Sequence, residues 1–176
     1  EIMKTVRSLL NDLLDVSRIS EGKISLNKKR VDLGTILEKA IRSTDHDRKE
    51  RHQSLFFKSP VNVYVFGDSV RLEQIFSNLL TNASKYSDPG DSITLRVHTR
   101  HAFAEIEVID EGIGIDQHAL ESIFQAFHQI KSERSKDGLG IGLSLVRDLV
   151  RMHGGSVRAE SKGRGHGSRF VLRLPL

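Results

Sequence analysis

The chain has 176 residues, a formal net charge of +4 and no cysteine, so it has room for one cored domain and one extra element, and a disulfide scaffold or cysteine metal site is excluded. No apolar run approaches the roughly 20 residues of a membrane span and no secretory signal is present, which fits a reducing, cytoplasmic setting. The basic residues are scattered among acids except at 28–30, and aromatics are few, which argues against nucleic acid as the partner.

Ile2, Val6, Leu9, Leu13 and Val16 recur at spacings of four and three, with Leu10 and Leu14 widening the stripe. That is a heptad seam suited to a helical bundle, running to about Ile19 and stopped by Gly22 as a C-cap. An ordinary amphipathic helix packed on its own domain is the other reading. The pattern is already running at the first residue, so the chain reads as part of a longer protein, in which any membrane anchor would lie outside these residues. Residues 24–26 and 30–33 predict short strands joined by a tight polar turn, followed by a helix over 33–51. Strands are expected over 54–59 and 62–68, a strong helix over 69–86, and antiparallel strands over 92–99 and 103–110. A short helix near 117–123, a polar basic loop over 131–136 and a helix over 140–152 come next. Residues 155–161 and 168–176 form a final hairpin, with Gly163, Gly165 and Gly167 in its turn. Hairpins mixed with helices predict an α+β fold, a two-layer sandwich with helices on one face of a mixed, mostly antiparallel sheet.

Three stretches carry candidate chemistry. On the helix over 69–86, Leu72, Ile75, Phe76, Leu79, Leu80 and Ala83 make the apolar face, while Asn78, Asn82 and Lys85 share a separate narrow stripe. Asparagine is a mediocre helix former, and an amide oxygen can ligate a hard cation such as Mg²⁺, with phosphates supplying further ligands. Lys85 would then meet a phosphate as a point charge. A solvated helix face explains the same stripe without chemistry. The apolar strand ending at Asp110 continues through Gly112 and Gly114 to Ile115 and Asp116; taken alone, Asp110 is also a common turn-capping residue. Finally, Gly138, Leu139, Gly140, Ile141, Gly142 and Leu143 precede or open a helix. Glycines there let a phosphate approach free N–H groups at a helix start, although the spacing is neither that of a Walker loop nor of a dinucleotide fingerprint. The preceding loop, with Lys131, Arg134 and Lys136, suits a lid over polyphosphate or a merely solvated surface.

The succession of these pieces resembles the catalytic and ATP-binding domain of sensor histidine kinases, within the wider family that shares the Bergerat ATP fold. Residues 78–86 match its N box, 110–114 its first glycine box, 124–127 its F box and 138–142 its second glycine box, and the resemblance covers nearly the whole chain. Residues 1–20 look like the second helix of the dimerisation and phosphoacceptor hairpin, 21–30 like a linker with a short hairpin, and 31–176 like the ATP-binding domain.

The resemblance implies roles. Asp110 would accept a hydrogen bond from the adenine exocyclic amine, where guanine presents a carbonyl instead. Gly112 and Gly114 would let the backbone approach the base, with Ile115 beside it. Asn82 would hold Mg²⁺, Asn78 would support metal or phosphate, Lys85 would help with phosphate, and Tyr86 would pack near the nucleotide. Phe124 and Phe127 would anchor the lid, with core packing as the plainer alternative. In the gyrase and mismatch-repair branch a glutamate one turn before the metal asparagine activates water. That turn here holds Asn78, and Glu73 lies on another face, so transfer to an acceptor is expected rather than hydrolysis. The family's acceptor is a histidine in an H-E/D-x-x-x-P box, and none of the eight histidines here sits in one. The expected acceptor thus lies on a helix outside this chain, with a receiver-domain aspartate downstream and a homodimer through the first helix. A degenerate nucleotide-binding module, or a dimerisation and receiver-docking module without transfer, are the competing readings.

Overall fold

In the computed structural model, residues 2–60, 62–128 and 139–176 are described. Helix α1 (Ile2–Ser20) is followed by β1 (Lys29–Asp32), α2 (Leu33–Ser43), α3 (Asp45–Glu50), β2 (Ser54–Lys58) and β3 (Tyr64–Gly67). Then come α4 (Ser69–Tyr86), β4 (Ser92–Arg100), β5 (Phe103–Asp110), α5 (Gly142–Met152), β6 (Ser156–Glu160) and β7 (Ser168–Pro175). The five-stranded sheet has the order β2-β4-β5-β7-β6, with β2 parallel to β4 and every other pair antiparallel. A separate antiparallel pair joins β1 to β3. This is the expected α+β architecture.

Alternation along the strands explains the layering. Leu95, Val97, Ile106, Val108, Leu172 and Leu174 point to one face and merge with Leu72, Ile75, Phe76 and Leu79 of α4 and Leu145 and Leu149 of α5 in one core. The other face carries ion pairs between neighbouring strands: Arg173 bonds Glu105 at 2.8 Å, and Arg169 bonds Glu107 and Glu160. Arg173 holds the Glu105 carboxyl below its ordinary pKa.

Some local expectations change. Residues 24–26 form no strand. Ile24 and Leu26 are half-buried while Ser25 is exposed, so the alternation anchors side chains without a partner strand, and no hairpin forms in the linker. The helix expected over 33–51 is broken at Thr44, whose hydroxyl bonds back to Ala40 O at 2.9 Å and accepts from buried Arg48 at 2.6 Å. The helix expected near 117–123 is instead two short 3₁₀ turns, Gln117–Ala119 and Ser122–Phe124. The basic loop with Lys131, Arg134 and Lys136 lies outside the described residues, as does Gly138.

Helix α1 is divided in its surroundings. Val16 and Ile19 pack against the core, whereas Val6, Leu10, Leu13 and Leu14 are exposed. Gly22 ends the helix at φ +66°, with Lys23 N donating to Arg18 O at 2.8 Å. A polar joint fixes α1 to the start of α4: Arg71 pairs with Asp15, and Gln74 donates to Asp12 at 3.1 Å and to Asp15 at 3.0 Å. Burial pushes the Asp12 carboxyl above its ordinary pKa.

His153, at the C-terminal end of α5, joins three segments. Its Nδ1 lies 2.7 Å from Leu149 O, and its Nε2 accepts from Asp68 N at 3.1 Å. Asp68 in turn caps α4 through Val70 N and Arg71 N and accepts from Asn27 N of the linker at 2.9 Å. Both imidazole contacts suit the neutral ring with its proton on Nδ1. Burial lowers its pKa below the ordinary 6.5, and nearby Lys28 adds to this while the Leu149 carbonyl and Asp68 oppose it. A depressed folded pKa places this contribution above the unfolded value, and it is lost as pH falls from 6.5 through the folded pKa. Urea midpoints measured from pH 7 to pH 5 should therefore fall in the wild type and fall less in His153→Gln.

Candidate functional site

Helix α4 begins at Asp68, an N-cap well suited to its role, and its apolar stripe buries Leu72, Ile75, Phe76, Leu79 and Leu80 completely. That anchoring turns Asn78, Asn82 and Lys85 along the helix flank, where all three are partly exposed. The Asn78 side chain lies against the first turn of α5, about where a Cβ on Gly142 would meet Asn78 Cγ at 3.9 Å. Its amide nitrogen is buried and, among the described residues, has no hydrogen-bond partner. An orphaned buried N–H donor costs free energy unless a ligand accepts from it. Lys85 Nζ lies over the Tyr86 ring, 5.4 Å from its centroid, and burial raises the Tyr86 pKa.

The C-terminal end of α4 leads to the second cluster. Tyr86 O accepts from Ile113 N at 3.0 Å, which brings the segment after β5 against the helix end. Asp110 closes β5 and is only 6% exposed. Its Oδ1 accepts from Gly112 N at 2.9 Å and Ser168 N at 3.2 Å, and its Oδ2 accepts from the Ser168 hydroxyl. Burial raises the Asp110 pKa above its ordinary value, while these donors work in the opposite direction. A buried carboxylate with its rotation fixed is a directional acceptor for one donor.

The close approach at Gly112 and Gly114 is to the protein's own backbone. A Cβ at Gly112 would sit 2.8 Å from the Tyr86 carbonyl carbon, and one at Gly114 3.0 Å from that of Gly163. Ile115 is buried, and its N–H donates to Ser161 Oγ at 3.0 Å.

The third cluster opens α5. Ile141 is buried, Leu143 packs against the core and Leu139 is exposed. Gly140, at φ +70°, accepts from Phe127 N at 3.0 Å, tying the segment after Phe124 to the glycine segment. Among the described residues, no side chain caps the start of α5. Core packing holds for Phe124, which is buried edge-on to Phe170 with centroids 6.3 Å apart. It does not hold for Phe127, which is 64% exposed with φ +63° because its main chain turns back to reach Gly140.

The chain thus places Asn78 beside α5 and Tyr86 beside the segment after Asp110, so one helix flank links both glycine segments. Ser168 was not among the residues singled out from sequence. Its position opposite Asp110 is a matter of β5–β7 register. The visible signal was a lone hydroxyl after the alternating glycines at 163, 165 and 167.

Among the described residues, no group of three or more His, Asp or Glu is arranged to hold a metal, and no helix is long and apolar enough to cross a membrane.

A family model described as histidine kinase-, DNA gyrase B- and HSP90-like ATPase matches residues 67–176. The chain is 35% identical over 172 residues to the circadian input-output histidine kinase CikA of Synechococcus elongatus, covering 95% of this chain and 23% of that protein. It is 33% identical over 177 residues to the signal transduction histidine-protein kinase/phosphatase MprB of Mycolicibacterium smegmatis, covering 98% of this chain and 35% of that protein. It therefore spans about a quarter to a third of the length of these relatives. The crystal structure of full-length ShkA in complex with AMPPNP superposes with a TM-score of 0.83 at 27% identity, covering 96% of this chain and 35% of that one. With its family match running from the end of β3 to the last strand, the chain belongs to the histidine kinase-, DNA gyrase B- and HSP90-like ATPases.

Proposed function

We propose that this chain binds ATP as the kinase domain of a sensor histidine kinase and donates the γ-phosphate to a histidine on a helix outside these residues, for relay to a receiver-domain aspartate. The observation that carries the reading is the buried Asp110 carboxylate, oriented by Gly112 and Ser168 at the end of β5. An acceptor held in that way suits the adenine exocyclic amine and opposes the guanine carbonyl. The ShkA complex with AMPPNP supports an adenine nucleotide.

The residues along α4 fit the phosphate side. The orphaned Asn78 nitrogen suits a phosphate oxygen, and the amide oxygens of Asn78 and Asn82 suit Mg²⁺. Asn82 would be its main protein ligand. Mg²⁺ in such a site neutralises charge on the phosphates. Lys85 adds a positive charge on the same flank, and the uncapped start of α5 adds main-chain N–H donors beside Asn78. No carboxylate stands on the asparagine stripe to take a proton from water, so the side chains favour positioning for transfer over hydrolysis. Helix α1, with Val6, Leu10 and Leu14 exposed, would form the dimer with a second copy in the whole protein.

The test is calorimetric titration with ATP, ADP and GTP, with and without Mg²⁺. ATP should bind and be strengthened by Mg²⁺, and GTP should not compete. Asn82→Ala should lose about ten-fold or more in Mg²⁺-dependent affinity while metal-free ATP binding stays near the wild-type value. Equal binding of GTP, or none of either nucleotide, would remove the reading. Phosphate transfer is then assayed on the complete parent chain.

A further inference from the structure

We infer that Ser161 is a positioning residue for base recognition: its hydroxyl laces the β6–β7 turn to the segment after Asp110 and so sets the adenine selectivity of the site. The inference deepens the ATP reading above and rests on it.

A serine hydroxyl offers one donor and two acceptor positions. Ser161 Oγ accepts from Ile115 N at 3.0 Å and Gly163 N at 3.2 Å, and donates to Gly167 O at 2.7 Å. All three positions serve the main chain, so the hydroxyl has none left for a ligand. Its action on a bound base runs through the backbone that it holds. That backbone is the one on either side of the Asp110–Ser168 pair.

Further bonds run across the same seam. Gly165 N donates to Ile113 O at 2.7 Å, Gly167 N donates to Gly112 O at 3.0 Å, and Gln117 Nε2 donates to Ser161 O. At the exposed rim Arg164 pairs with Asp116 at 2.9 Å. Ser161 is the member that binds both sides at once, reaching its own turn through Gly163 and Gly167 and the opposite segment through Ile115. Without it, two main-chain N–H groups lose their acceptor, and each must find another by moving. Movement there reaches Asp110 through Gly112 and reaches Ser168 through Gly167. Selectivity for one base depends on an acceptor that cannot turn away from a mismatched carbonyl, so it depends on a supporting shell that holds still. Affinity for the phosphates, which depends on the far end of α4 and on α5, does not.

The experiment titrates the wild type, Ser161→Ala and Ser161→Thr with ATP, GTP and inorganic tripolyphosphate in Mg²⁺, with a melting curve for each protein. Ser161→Ala should lower ATP affinity about ten-fold and shrink the ATP-over-GTP ratio by a similar factor, leave tripolyphosphate binding unchanged, and be rescued by the hydroxyl of Ser161→Thr. An unchanged ATP-over-GTP ratio in Ser161→Ala, or ATP and tripolyphosphate weakening together, overturns the inference. If Ser161→Ala does not fold, Ser161→Cys, whose thiol is a much weaker donor and acceptor at the same place, takes its place. A reduced ATP-over-GTP ratio there supports the inference and an unchanged one overturns it. A wild type that shows no preference for ATP removes the ATP reading itself, and the inference with it. A selective wild type with an equally selective Ser161→Ala removes the inference alone.

Discussion

Asp110→Asn will bind ATP at least about a hundred-fold more weakly than the wild type, and will unfold at the same or a higher temperature. The two halves of this result come from different physics. Asparagine keeps an oxygen where Gly112 N and Ser168 N converge, and its amide nitrogen can donate to the Ser168 hydroxyl, which turns to accept. Little of the local bonding is lost. The charge, however, is gone. Burial is the largest influence on the Asp110 pKa and raises it, so folding favours the protonated acid. A raised folded pKa means that this stabilising preference is fully present below the unfolded value of 3.8 and is lost as pH rises through the folded pKa. At neutral pH the ionised carboxylate therefore costs stability, and asparagine removes that cost. The melting-temperature gap between variant and wild type should widen from acid to neutral pH and close below pH 3.8. On the ligand side, an amide N–H would face the adenine amine, donor against donor, on the proposed contact. A variant that melts well below the wild type yet binds ATP normally would show that the carboxylate is a structural cap.

The second large effect is expected at Gly167. Its φ is +64°, and a Cβ there would stand 2.9 Å from the carbonyl carbon of Asp110 and nearer still to the oxygen. The obstacle is main chain in a paired strand, so neither a rotamer change nor a small shift clears it. Gly167→Ala should lose about 4 kcal/mol or more of unfolding free energy, a size reached only by strain or core disruption. Gly165→Ala is the internal control. That residue has a similar φ of +78° but nothing within 4 Å of its Cβ, so only the left-handed backbone penalty of about 1–2 kcal/mol applies. Urea unfolding of the pair measures the difference. Equal losses would mean that the turn relaxes and that the tight approach to Asp110 is not needed.

Periodicity made much of this architecture legible, because the relevant signals are local. The boundaries of α4 follow from a capping aspartate, a clean apolar stripe and the breaker after Tyr86. The β4–β5 pairing follows from two alternating runs separated by a tight turn. Where a local signal has a second physical cause, it misleads. Ile24 and Leu26 alternate with exposed Ser25 because both are half-buried in a linker, Leu26 against the core, and Thr44 breaks a helical pattern through one side-chain hydrogen bond. The candidate site divides in the same manner. Asn78, Asn82 and Asp110 stand out as residue types in unusual places, whereas Ser168 and Ser161 are ordinary serines. Their importance arises from partners 58 and 46 positions away, which no local pattern encodes.

That separation along the chain has a consequence for how the protein is made. The β4–β5 hairpin is local and can close as soon as its two strands exist, since closing a short loop costs little entropy. The Asp110 side chain is different: although its main chain pairs with Ile93 of β4, its side-chain donors on Ser168 come from β7, the last strand. During vectorial synthesis the carboxylate has its Gly112 donor almost at once, but exists for some 58 residues of further growth before its Ser168 donors are made. A nascent chain therefore acquires the helices and most of the core before it acquires an oriented acceptor. Capacity to bind nucleotide is the last property to arrive, and it arrives together with closure of the sheet.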